Sequence, residues 1–133
     1  MDKIDITILK NLIFNEEYSR KVIPFLQKEY FEDPNHRIIF EEISLFMVKY
    51  NALPTKESII IESEKRTDIS ENLFSTIANT VSVLENTPVD LQWLFDTTEK
   101  WCRDRAIYLA LVESISIADG TDAKKCHDAI PSI

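Results

Sequence analysis

Glycine is nearly missing from this chain: Gly120 is the single one among 133 residues. Sheet-rich folds draw on glycine for tight turns with positive φ, so the shortage argues against a β-rich architecture. It also excludes glycine-rich phosphate loops of the dinucleotide-binding or Walker type. A basic face is missing as well. The 15 Lys and Arg residues stand against 23 Asp and Glu, a net charge of −8. The densest basic groups, Arg20-Lys21 and Arg103 with Arg105, are small and flanked by acids. Duplex-DNA binders concentrate Lys and Arg to displace phosphate counterions, so direct DNA binding by these residues alone is not expected. Basic protein partners are electrostatically easier than acidic ones. Cys102 and Cys126 lie far apart, no apolar run reaches membrane length, and Met1-Asp2-Lys3-Ile4-Asp5 lacks the apolar stretch of a signal peptide. The expectation is a cytoplasmic protein with reduced thiols and no membrane partner.

Helical signals fill the space that those absences leave. Ile4, Ile8, Leu9, Leu12 and Ile13 recur at helical spacing and predict a first helix from about Ile4 to Phe14. Asn15 can cap a second helix, with Glu16 and Glu17 in its first turn and Val22, Phe25 and Leu26 on its apolar side; Pro24 shortens or bends it. Asp33-Pro34 is a helix start, a capping Asp before a proline at the first helical position. Ile39, Ile43, Phe46 and Tyr50 then share one face, and Asn51 can close the helix in a left-handed conformation. Thr55 caps a helix holding Ser58 to Ile61, and Ser70 caps one in which Leu73, Ile77, Val81 and Leu84 recur.

Thr87-Pro88 breaks the pattern, and a long helix is predicted from about Asp90 to Asp119, roughly 45 Å of rod. Gly120 stands where a left-handed C-cap belongs, and Thr121 with Asp122 can cap a last helix from near Ala123. A long helix, a tight turn and a second helix form an αα-hairpin, here with a much shorter second arm. The long arm carries a seven-residue stripe, Leu94, Trp101, Tyr108 and Ile115, interleaved with Leu91, Thr98, Arg105 and Val112. That spacing suits a narrow helix–helix seam, part of which finds no partner within this chain. Either another chain covers it or the polypeptide continues.

The ionisable residues do not converge on an evident catalytic site. His36 could serve as an acid–base group, but a surface or capping histidine is the plainer reading of its place in a helix's first turn. Cys102, Cys126, His127 and Asp128 match no zinc spacing, and adjacent Cys126-His127 cannot share a helical face. Glu16-Glu17, Glu41-Glu42 and Glu62 with Glu64 read as solvated helix faces rather than paired catalytic carboxylates. Trp93 and Trp101 invite a base-stacking reading, yet Trp101 lies on the seam, where core or subunit interface is the better reading, and Trp93 can pack against an earlier helix. Arg105, in the seam, either forms a register-setting pair or snorkels to solvent.

Leu12-Ile13-Phe14-Asn15 through Glu29-Tyr30-Phe31 resembles the opening of DnaB-type replicative DNA helicases, where a leucine-rich helix leads through a second helix to a phenylalanine motif. The family follows it with a His-x-x-Ile-Phe-x-x-Ile helix, and here stands His36-Arg37-Ile38-Ile39-Phe40-Glu41-Glu42-Ile43. Leu53-Pro54-Thr55 occupies the place of the family's Pro-led turn. Trp93-Leu94, Thr98-Glu99-Lys100, Arg105-Ala106 and Ala129-Ile130-Pro131-Ser132-Ile133 resemble the members from T-even bacteriophages. Each motif is a generic helix pattern; their order and spacing carry the resemblance.

The resemblance implies an all-α N-terminal domain: a compact multi-helix globule over residues 1–88, then, over 89–133, a long helix that starts an αα-hairpin with a truncated second arm. In the family such domains form a collar above a hexameric motor ring and dock primase or a helicase loader. By that carry-over Trp101, Arg105, Tyr108, Val112 and Ile115 serve hairpin or subunit packing, and His36, Ile39, Phe40 and Ile43 serve the globule's core or helix start. The parent is expected to be an ATP-dependent 5′-to-3′ DNA helicase whose RecA-like motor, absent from this chain, holds ATP and Mg and meets single-stranded DNA through the full ring. No catalytic residue, cofactor or metal is expected here. The alternatives are a stand-alone helical phage adaptor for a host or replication factor, and a small carboxylate enzyme.

Overall fold

The computed structural model describes residues 3–118. Among them the chain forms six α-helices and no strand: α1 (Lys3–Phe14), α2 (Glu16–Val22), α3 (Pro34–Tyr50), α4 (Lys56–Glu64), α5 (Glu71–Ser82) and α6 (Leu91–Ala118). Two 3₁₀ turns, Ile23–Phe25 and Lys28–Tyr30, join α2 to α3. The all-α expectation therefore holds. Gly120, the Thr121-Asp122 cap, the helix from Ala123 and the Cys126-His127-Asp128 group lie outside the described residues.

Helix starts follow capping chemistry. Each cap oxygen satisfies an orphan backbone N–H of the first turn, worth about 1 kcal/mol. Asn15 accepts from the Tyr18 N–H at 3.2 Å, Asp33 from Asn35 at 3.1 Å, and Ser70 from Leu73 at 3.1 Å. Thr55 and Ser58 cap each other's backbone reciprocally, a capping box with serine in the place of glutamate. Asp90 accepts from the Trp93 N–H at 2.9 Å and so starts α6. Asn51, at φ 53° and ψ 38°, ends α3 in the left-handed region that asparagine tolerates.

The core gathers Ile8, Leu9, Leu12 and Ile13 of α1, Ile39, Phe40 and Ile43 of α3, Ile59 of α4, Ile77 and Val81 of α5, and Leu84 just beyond α5's end. Helix α3 packs against α1, α4 and α5, whereas α6 packs against α2 and the second 3₁₀ turn. Leu94 and Trp101 of α6 belong to this same cluster. Three sequence readings need correction. Phe25 is not on α2's buried side: Pro24 turns the helix into a 3₁₀ turn that buries Val22 and Leu26 and leaves Phe25 73% exposed. Trp93 is half exposed rather than packed on an earlier helix. The α3 stripe gives out at Tyr50, which stacks on Phe46 with ring centroids 4.7 Å apart but faces solvent.

The segment between the second 3₁₀ turn and α3 ties the halves together. The Phe31 ring is fully buried between Phe40, 5.5 Å away, and Trp101, 5.0 Å away, with Tyr30 edge-on to Trp101 at 6.0 Å. Arg37 Nε donates to the Phe31 carbonyl at 2.6 Å. Arg105 Nε donates to the Tyr30 carbonyl at 2.6 Å. Two adjacent carbonyls are thus held by guanidinium groups from different helices, the charge-assisted kind of hydrogen bond.

Trp101→Ala is expected to cost roughly 3–5 kcal/mol in chemical denaturation, the penalty for emptying a buried aromatic site; a loss below about 1 kcal/mol would remove Trp101 from the core. Arg105→Ala is expected to cost about 1.5–3 kcal/mol through the Tyr30 carbonyl. Glu32→Ala, which removes only the exposed end of the Arg105–Glu32 pair, is expected to stay within about 0.5 kcal/mol. Equal losses for both would mean that the ion pair, not the carbonyl, holds α6.

Candidate functional site

Helix α6 has 28 residues, about 42 Å of rod, and its stripe splits into two regimes. In the first half Leu94, Thr98 and Trp101 are buried on the globule. Tyr18 and Thr98 exchange a buried hydroxyl–hydroxyl bond of 2.6 Å that pins α2 to α6, and burial raises the Tyr18 phenol above its ordinary range despite that bond. Arg105 marks the border. Its side chain is 13% exposed, it reaches Glu32 at 3.2 Å, and its guanidinium lies 4.8 Å from the centre of the Tyr108 ring. Its two sequence readings are therefore resolved: Arg105 does not snorkel free, but binds back to the Tyr30 backbone.

Beyond Arg105 five large apolar side chains face solvent. Ile107, Tyr108, Leu111, Val112 and Ile115 are 44–60% exposed. Ile107, Leu111 and Ile115 recur every four residues, and Tyr108, Val112 and Ile115 run beside them, so the five form one apolar face about two turns long. Contiguous apolar surface on a helix is the usual mark of an interaction site. Of the five residues expected on the hairpin or subunit seam, Tyr108, Val112 and Ile115 lie on this open face, while Trp101 and Arg105 are fastened inside the chain.

The four residues of the His36 motif come together in the core. Ile39 and Ile43 are fully buried, Phe40 nearly so, and His36 is 1% exposed. The surface or capping reading of His36 is thus corrected. Asp33 and Pro34 do the capping, and the next residues turn inward against α1, which leaves His36 Nδ1 3.7 Å from the Asp5 carboxylate.

In each acidic pair at least one carboxylate meets a basic side chain. Arg66 reaches Glu42 at 2.7 Å, Glu41 at 3.1 Å and Asp68 at 2.8 Å, so it closes the loop after α4 onto α3. Hydrogen bonding to Asp68 comes first among the causes that hold the Arg66 guanidinium firmly protonated, and the same bond holds the Asp68 carboxyl below its usual range. Glu16 pairs with Arg20 and Glu62 with Lys65 on exposed faces. Among the described residues no three His, Cys, Asp or Glu side chains form a group that could hold a metal ion. No helix of the described residues is long and apolar enough to cross a membrane.

Two features of the surface escaped sequence reasoning. Phe25 and Phe95 flank a groove between the end of α2 and α6, with half-buried Cys102 on its floor. Phe25 was hidden because it holds an apolar position by spacing; only the adjacent Pro24 signalled that the helix would not carry it inward. Burial pushes the Cys102 thiol from 9.0 up to about 11. A raised thiol pKa contributes stability that is present below the ordinary thiol range and lost as pH climbs toward the folded value. Alkylation of Cys102 in a Cys126→Ser background is therefore expected to stay slow at neutral pH and keep accelerating toward pH 11. A rate that levels off near 9 would put the thiol in water.

No protein-family model matches the chain. The chain spans 28% of the length of the relative that it matches, and that alignment, 31% identical over 134 residues, takes in 95% of this chain. That relative is the DnaB-like replicative helicase of Enterobacteria phage T4, so the family resemblance carried by His36-Arg37-Ile38-Ile39-Phe40 and its neighbours is matched by similarity along almost the whole chain.

Proposed function

We propose that this chain is the N-terminal collar and docking module of a DnaB-type replicative helicase, acting in DNA replication through assembly rather than catalysis. The observation that carries the reading is the divided α6: one half is locked into a globule and the other presents a bare apolar face. A helix of this kind becomes stable in water by pairing. In this reading Tyr108, Val112 and Ile115, with Ile107 and Leu111 beside them, pair with a returning hairpin arm and with neighbouring subunits of a hexameric ring. Trp101 and Arg105 set the angle at which α6 leaves the globule. The globule presents its outer surface to primase or a helicase loader.

Similarity to one stretch of a replicative helicase supports this, as does the composition. A net charge of −8 keeps the module from competing for the phosphate backbone, so single-stranded DNA meets the protein only through the complete ring. ATP and Mg belong to the parent's RecA-like motor, and the module itself hydrolyses nothing. In the parent gene the reading frame is expected to lead to a Gly-x-x-x-x-Gly-Lys-Ser/Thr loop.

A chain extended to include both hairpin arms is expected to self-associate in sedimentation, and Val112→Glu with Ile115→Glu is expected to shift it toward monomer. In the 133-residue chain, where both positions are exposed, the same two changes are expected to alter stability by no more than about 0.5 kcal/mol. A wild-type extended chain that stays monomeric at high concentration would defeat the assembly role.

A further inference from the structure

The groove beside α2 is a separate surface from the α6 seam. It encloses about 400 Å³ between the α2 end with its 3₁₀ turn and the first half of α6. Val22 and Cys102 lie on its floor, and the Thr98 hydroxyl there is already bonded to Tyr18. The floor thus offers apolar contact and little unsatisfied polarity.

Phe25 stands over one side. It is the most exposed phenylalanine among the large apolar side chains that face solvent, at 73%. Its backbone is nonetheless stiff. Pro24 fixes φ, the Leu26 N–H bonds to the Ile23 carbonyl at 3.2 Å, and Val22 and Leu26 anchor the turn from beneath. An aromatic side chain held out on an anchored turn loses little entropy when covered, the property that makes such side chains binding anchors. Phe95 faces it across the groove and stacks on Tyr18, with centroids 5.7 Å apart.

The two lips differ in sign. The Lys21 ammonium sits 5.0 Å from the centre of the Phe95 ring on the α2 side. Glu99 rises on the α6 side with its side chain 78% exposed, held only loosely by Arg103 at 3.9 Å. An occupant therefore needs an apolar centre flanked by a base toward Glu99 and an acid toward Lys21. A groove between two helices accepts a helix by its apolar face. A second copy of this chain would bring another net charge of −8, so a basic foreign segment is the favoured occupant.

We infer that this groove is a docking site for an amphipathic, net-basic helix of a partner protein, which seats one apolar side chain between Phe25 and Phe95 and pairs its flanking charges with Glu99 and Lys21. The inference rests on the docking half of the reading above and is independent of the assembly half. The test is selection of helical peptides from a displayed library on the 133-residue chain, followed by anisotropy titration of the enriched peptides. Enriched sequences are expected to share an apolar anchor with a basic residue within one turn. Their affinity is expected to fall at least about tenfold on Phe25→Ala, with an unchanged thermal melt because Phe25 is exposed. The double exchange Lys21→Glu with Glu99→Lys is expected to reverse their charge preference, and Val112→Glu to leave binding intact. No enrichment, peptides that bind Phe25→Ala as tightly as wild type, or a wild-type dimer that Phe25→Ala dissolves would each overturn the proposal. A wild-type chain extended through both hairpin arms that stays monomeric while peptide binding is preserved would instead count against the α6 seam alone.

Discussion

Two consecutive backbone carbonyls, of Tyr30 and Phe31, set the constraint on which the rest of the structure depends. Neither carries on a helix, and a carbonyl left without a donor inside a protein costs as much as a lost hydrogen bond. Arg37 from α3 and Arg105 from α6 supply those donors, and between them the Phe31 ring fills the space against Phe40 and Trp101. Polar demand and apolar packing therefore select the same arrangement. Alpha-helix α6 cannot slide along the globule without uncovering Trp101 and releasing the Tyr30 carbonyl together.

That coupling explains why one helix does two jobs. Up to Arg105, α6 is part of the fold, and its Leu94 and Trp101 are core residues like those of α1 and α3. Past Arg105, the same heptad-like spacing continues, but among the described residues no globule lies beneath it. In the proposed collar role that apolar surface would serve association. The groove at Phe25 sits on the folded half, where stiffness favours recognition of a partner's side chains.

Much of this was legible in the chain because local chemistry decided it. Asn15, Asp33, Thr55 and Ser70 cap helices since their oxygens reach N–H groups two or three residues on, a short-range fact. Asn51 likewise announces its left-handed turn. The all-α architecture and the α1 stripe follow from periodicity. What periodicity could not supply was depth. The stripe on α6 reads the same on both sides of Arg105, and only the position of residues 30–31, some 75 residues earlier, divides it. For His36 the local pattern alone failed for a related reason, since its place in a first turn suggests solvent, but α1 packs over that turn; the core place that the family resemblance implied is where it lies. Phe25 and Trp93 carry apolar side chains whose exposure depends on where a helix ends and how α6 is rotated. The Tyr18–Thr98 bond, 80 residues apart, leaves no local trace at all.

Among the described residues α6 is clamped near its middle, which makes its second half a lever. Arg105 is its fulcrum, and the 13 residues from there to Ala118 extend about 20 Å beyond it. A tilt of about 10° at the clamp would sweep the far end through roughly 3 Å, over half the pitch of a helical turn. Small adjustments in how Trp101 and the Tyr30 carbonyl are held thus become displacements of about 2–3 Å at Val112 and Ile115, and in the proposed collar the packing of one indole ring would set the geometry in which neighbouring molecules meet.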